Sequence, residues 1–183
     1  MPRQHPARRK AKDAVRRAVA ALRSCGILVP RFTLTTEWPS LIGGSYVDAS
    51  SRPLHLNMGR YPVNFMREWF AMHELGHVLW ACHRPLRRKA FRAAFGQATP
   101  RDYHEIHRRE AWKTASTLRL SWWPGPHRPA GQPSHYGMTA GGEERFCELI
   151  ALMHAHGGFA RQPPADLDDL WRICWNDGLA RMV

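Results

Sequence analysis

The sequence predicts an α+β domain, a small mixed or antiparallel sheet packed on helices. Three observations predict it. An alanine-rich amphipathic repeat opens the chain, β-branched and alternating segments follow, and from Asn64 onward apolar residues recur at helical spacing. At 183 residues, 44% hydrophobic and 23% charged, the chain has the length and composition of one domain, 1–183, with a real core.

The first helix is expected over residues 7–24. Ala7, Ala11, Ala14, Val15, Ala18, Val19 and Leu22 fall on one stripe, arginines and lysines occupy the opposite face, and Gly26 follows its end. The stripe is too alanine-rich for a strong membrane-surface helix and is expected to pack on the domain. The basic stretch 1–12 is read as a flexible tail overlapping the helix start. Strands are expected in "ILVPRFTLTTEW", in "LIGGSYV" with a turn or bulge at Gly43-Gly44, and in "PLHLNM". In the last of these Leu54, Leu56 and Met58 alternate with His55 and Asn57, the pattern of a half-buried strand.

A long helix then starts near Asn64, just after Pro62, and stops before Pro85. Phe65, Trp69, Met72 and Leu79 form its buried stripe, with Phe70, His73 and His77 on an adjacent face. Further helical stretches are expected at 86–95, 102–119 and 143–156. The segment "DLDDLWRICWNDG" reads as a final helix with Gly178 after it. Between them, 121–142 is a Pro/Gly-rich loop of a length that usually carries function.

No apolar run reaches the roughly 20 residues of a membrane span, and no apolar core follows the basic N-terminus as in a signal peptide, so a cytoplasmic location without membrane contact is expected. Cys25, Cys82, Cys147 and Cys174 form no C-x-x-C pair and read as buried free thiols. The net charge of +12 attracts acidic partners. Weak nucleic-acid association through the basic N-terminal helix is one expected consequence, although no DNA-reading motif is present.

Chemistry concentrates in "MHELGHVLWACHRP". On a helix, residues four apart lie one above the other, so His73 and His77 can point two ring nitrogens at one metal ion. Glu74 sits one step around the helix, where it can reach a metal-bound water as general base; this is the H-E-x-x-H arrangement of zinc hydrolases. With eleven histidines the pattern arises by chance in roughly 3% of shuffled chains, so its place inside a strong helix after an alternating strand decides for the metal. Gly76 costs about 1 kcal/mol of helix propensity and implies the close approach of a neighbouring element.

A third protein ligand is needed, with a fourth position left for water. His83 has the offset of the longer H-E-x-x-H-x-x-G-x-x-H pattern, but Trp80 stands where that pattern breaks its helix with glycine, so His83 is expected to face elsewhere. In "GGEERFCELIALMH" Glu144 and Glu148 are themselves four apart. A helix crossing the first could aim Glu144 at the metal, while Glu148 accepts a hydrogen bond from a ligand histidine. Glu143 is the neighbouring alternative ligand and otherwise reads as a solvated residue of the helix's first turn.

At these residues the chain resembles the gluzincin metallopeptidases, in particular the anthrax-lethal-factor-like catalytic domain. That family follows its HExxH helix with a Ser-x-Tyr-Gly loop and an E-x-x-x-E helix ending in Leu-Met-His; here the segments read "SHYGMT" and "ERFCELIALMH". The match covers roughly 40 residues in two segments. The ImmA/IrrE-type bacterial and phage peptidases, which share the HELGH helix and a downstream glutamate helix, are a close second. The resemblance implies a zincin-like fold with one Zn2+ per chain held by His73, His77 and Glu144, and Glu74 as general base. It further implies Tyr136 as donor to the oxyanion and Glu148 behind the ligands. One residue more separates Tyr136 from Glu144 than in that family, which keeps Glu143 open as the third ligand. Cys147 stands where the family more often has a small residue.

The expected function is therefore zinc-dependent hydrolysis of protein or peptide substrates, acidic ones being favoured by the charge. The alternative is a catalytically inactive zincin-like protein acting as a basic nucleic-acid-binding or protein-interaction module.

Overall fold

The computed structural model describes residues 6–36, 45–59, 64–97, 131, 133 and 141–180. Helix α1 runs over Pro6–Ser24 and buries Ala11, Ala14, Val15, Ala18 and Leu22. Residues 6–12, read as part of a tail, are thus helical, because burial of Ala11 fixes the turn around it. The helix stops at Gly26, whose φ of 78° places it in the left-handed region. The Ile27 N–H donates to the Leu22 carbonyl at 3.0 Å and the Gly26 N–H to that of Arg23 at 2.9 Å, which satisfies carbonyls the helix end would otherwise strand.

Strands β1 (Phe32–Thr35), β2 (Tyr46–Asp48) and β3 (Leu54–Asn57) form a mixed sheet in the order β1-β3-β2, with β1 parallel and β2 antiparallel to β3. The expected alternation is present at Leu54 and Leu56, which are buried on the core side. The other face is polar. There His55 sits opposite Thr33 and Asp48, and Asn57 opposite Thr35 and Tyr46.

Helix α2 spans Asn64–Cys82. From Trp69 to Trp80 every side chain except His77 is buried. A helix apolar on nearly all sides belongs in a core, and α2 lies between α1 and a later helix, α5 (Gly142–Ala155). The stretch expected as one helix over 86–95 is two, α3 (Arg84–Arg87) and α4 (Lys89–Gln97), broken where Arg88 turns extended at ψ 133°. The break lets α3 bury Leu86 while α4 brings Phe91 and Phe95 against Trp80, at centroid distances of 6.0 and 6.3 Å. Arg92 covers the same indole, 4.9 Å from its centroid.

Near the C-terminus a tight turn at Ala165–Leu167 leads into α6 (Asp168–Ile173), which widens into a π-type turn over Cys174–Leu179. The helical path continues through Gly178 instead of ending before it. Gly178 is buried against Leu86 and Phe91, where a side chain would collide with both.

Among the described residues no helix is long and apolar enough to cross a membrane. The four cysteines are free, but only Cys147 and Cys174 are buried; Cys25 is half-buried and Cys82 exposed, because both lie at helix ends. The expected helix at 102–119 and most of the 121–142 loop lie outside the described residues.

Candidate metal centre

Helix α2 places the two histidines one turn apart, with their Nε2 atoms 3.3 Å from each other. Helix α5 runs antiparallel beside it. Three successive pairings show the direction: Glu143 meets His77, Cys147 meets Gly76, and Glu148 meets His73. The approach is close enough that a Cβ on Gly76 would stand 2.9 Å from the Cα of Cys147. The expectation of a packing reason for this glycine is met by the backbone of α5.

That approach delivers Glu144. Its Oε2 lies 3.2 Å from His73 Nε2 and 3.5 Å from His77 Nε2. Two nitrogens and one carboxylate oxygen thus form a triangle with edges of 3.2, 3.3 and 3.5 Å. A tetrahedral ion with bonds of about 2.0–2.1 Å has donor-to-donor edges of about 3.3–3.4 Å. The donors therefore fit a tetrahedral cation on spacing as well as on chemistry, and His73, His77 and Glu144 form a group that could hold a metal ion.

Each imidazole is also held at its far nitrogen. His73 Nδ1 is 3.0 Å from Glu148 Oε1, which is fully buried, and His77 Nδ1 is 2.8 Å from Glu143 Oε1, which is half-exposed. A carboxylate at Nδ1 leaves the Nε2 lone pair free for a metal. Phe70 packs edge-on against His73, with centroids 6.4 Å apart, and restricts its rotation.

Glu74 is buried at 4% exposure, and its Oε2 has no hydrogen-bond partner among the described residues. Burial raises the Glu74 pKa; the His73 and His77 rings pull it down and the Glu144 and Glu148 carboxylates push it up, for a net rise above the usual carboxylate value. A buried carboxylate with one oxygen unpartnered among the described residues is placed to take up and return a proton. The Cys147 thiol is held protonated by burial against the pull of His77 and His73.

The metal-free cluster stores protons. Burial opposes a charge on His73, but the Glu144 and Glu148 carboxylates outweigh it and raise its pKa well above the histidine range. His77 is raised as well: burial opposes its charge, and its Glu143 and Glu144 carboxylate partners favour it. Burial pushes Glu144 up, but its bonds to the two rings outweigh this and bring its pKa down to about 2. These imidazolium contacts stabilise the metal-free fold most below the unfolded histidine value, near 6.5, and fade as pH rises through the elevated folded values.

Metal binds only the neutral ring, so uptake must displace these protons. Affinity is expected to rise up to about tenfold per pH unit for each proton displaced, and to keep rising past neutrality because both values lie above the ordinary one. Chelator competition between about pH 6 and about pH 8 measures this; a pH-independent affinity would show that the rings are neutral already.

The remaining sequence-based candidates fall differently. His83 stands between α2 and α3, half-buried near the Leu28 backbone, and is not part of the donor group. Tyr136 lies outside the described residues. Glu143 takes the Nδ1 side of His77, the edge opposite the nitrogen that faces Glu144. The sequence reading missed this pairing; the adjacent glutamate pair opposite two histidines was its only signal. It also missed Arg145, which is buried and donates to the Phe95 carbonyl at 3.3 Å, tying the end of α4 to the start of α5. Burial lowers the Arg145 pKa to about 10. No protein-family model, curated protein or solved structure matches this chain.

Proposed function

We propose that the chain is a zinc-dependent metallopeptidase of the gluzincin type, with His73, His77 and Glu144 as the protein ligands. The observation that carries this reading is the donor triangle with tetrahedral edges beside a buried carboxylate, Glu74, whose Oε2 has no hydrogen-bond partner among the described residues. Two nitrogens and one carboxylate oxygen are a donor set suited to catalytic zinc, which leaves one position for solvent or substrate. Bound there, zinc supplies Lewis acidity, acidifying water and polarising a peptide carbonyl.

The protein groups do the rest. Glu74 takes the proton from the attacking water and passes it to the leaving amine. Glu144 offsets positive charge at the centre. Glu148 and Glu143 hold the rings at their far nitrogens. Tyr136 is the proposed donor to the carbonyl oxygen as it gains charge. The net charge of +12 favours acidic peptides as substrates.

Metal content of the purified full-length chain tests the reading. About one zinc per wild-type chain is expected, largely lost in Glu144→Ala. No zinc in the wild type, with none taken up on titration, would overturn the proposal. Equal zinc in both proteins would remove Glu144 from the ligand set.

A further inference from the structure

A carboxylate stands beside Nδ1 of each ligand histidine, in unlike surroundings. On the His73 side, the ring is 6% exposed and Glu148 0%; on the His77 side, the ring is 17% exposed and Glu143 46%. The His73 pair is sealed between α2 and α5, with Phe70 against the ring. The His77 pair lies at the first turn of α5, where water reaches both partners.

The chemistry of the pair is set by ring geometry. The two imidazole nitrogens lie on opposite edges, so an acceptor fixed at Nδ1 places the proton there and leaves the Nε2 lone pair for a cation. Glu143 Oε1, 2.8 Å from Nδ1, is that acceptor for His77, whose Nε2 faces His73 Nε2 and Glu144 Oε2. Without it, water competes for Nδ1, the ring exchanges tautomers and turns more freely, and the donor triangle loses one corner for part of the time. On the His73 side the ring and its carboxylate are buried, and water reaches them far less.

We infer that Glu143 is a positioning residue that holds His77 in its metal-binding tautomer, and that this solvent-side pair sets the rate at which the ion enters and leaves. The inference rests on the metal-centre reading proposed above. It gives Glu143 a role other than ligand and assigns the two carboxylates different duties. Glu148 keeps the inner ligand in place, and Glu143 governs exchange at the outer one.

Zinc release from full-length protein to a chelator, together with zinc affinity by competition, tests it in wild type, Glu143→Ala, Glu143→Gln and Glu144→Ala. Glu143→Ala is expected to bind zinc about 10–100-fold more weakly, with most of the loss in faster release. Glu143→Gln, which keeps a carbonyl oxygen for the Nδ1–H, should recover part of both quantities. A merely structural role for Glu143 would not produce that order, since both variants lose the same charge. Wild-type affinity and release in Glu143→Ala, alongside zinc loss in Glu144→Ala, overturns this inference and leaves the metal centre standing. Zinc loss in Glu143→Ala with full retention in Glu144→Ala makes Glu143 the ligand and also overturns it. A wild-type chain that takes up no zinc overturns both readings.

Discussion

Glu74→Gln should leave zinc content unchanged and reduce peptide turnover by about 10²–10⁴-fold, the range removed with a general base. Glu74 is absent from the donor group, so its loss does not open the metal triangle. Glutamine has the same shape and is neutral, and the site already disfavours charge here, since burial raises the Glu74 pKa. The substitution therefore relieves a desolvation penalty, and the folded protein should be at least as stable as the wild type. The proposed mechanism would lose its proton carrier, because an amide neither takes a proton from water nor returns one to an amine. Zinc analysis, thermal melting and a peptide-cleavage assay on one preparation check the three parts. Unchanged cleavage would exclude Glu74 as the base. Lost zinc would mean that the carboxylate contributes to the metal's hold.

Much of the site's frame was legible in the sequence because local rules govern it. The spacing of His73 and His77 needs only a helix, and Pro62, Asn64 and Pro85 bracket one; α2 runs over Asn64–Cys82. Leu54, His55 and Leu56 show their strand alternation in the same direct way. Which carboxylate meets which nitrogen was not legible, since it depends on the antiparallel offset of α2 and α5. That offset is set where Cys147 sits over Gly76, two residues 71 positions apart by their numbers. A shift of one residue would exchange Glu143 and Glu144. The break at Arg88 and the burial of Arg145 escaped for the same reason. Both follow from the space left by Trp80, Phe95 and Phe146 once the helices have packed, and a charged residue beside Glu144 carries no local sign of that.

Gly76→Ala sets helix propensity against packing, and packing should win. In an isolated helix the change would favour the helical state by about 1 kcal/mol. Here the new methyl would lie 2.8 Å from Cys147 Sγ, 2.9 Å from its Cα and 3.1 Å from its Cβ. The sulfur could turn aside, but the Cα belongs to the backbone of α5, so relief requires the helices to part. Overpacking of this kind costs about 1–3 kcal/mol, enough to exceed the propensity gain over most of that range. A fall of about 2–4 °C in Tm is expected for each net kcal/mol in a chain of this size. The same movement draws Glu144 and Glu148 back from His73, so weaker zinc binding should accompany the lower Tm. Adding Cys147→Ala would remove the collision with the sulfur and leave the collision with the α5 backbone, so it should restore only part of the loss. A Gly76→Ala protein that melts higher and binds zinc normally would mean that α2 and α5 have slack at this crossing, and that the donor triangle does not depend on their closeness.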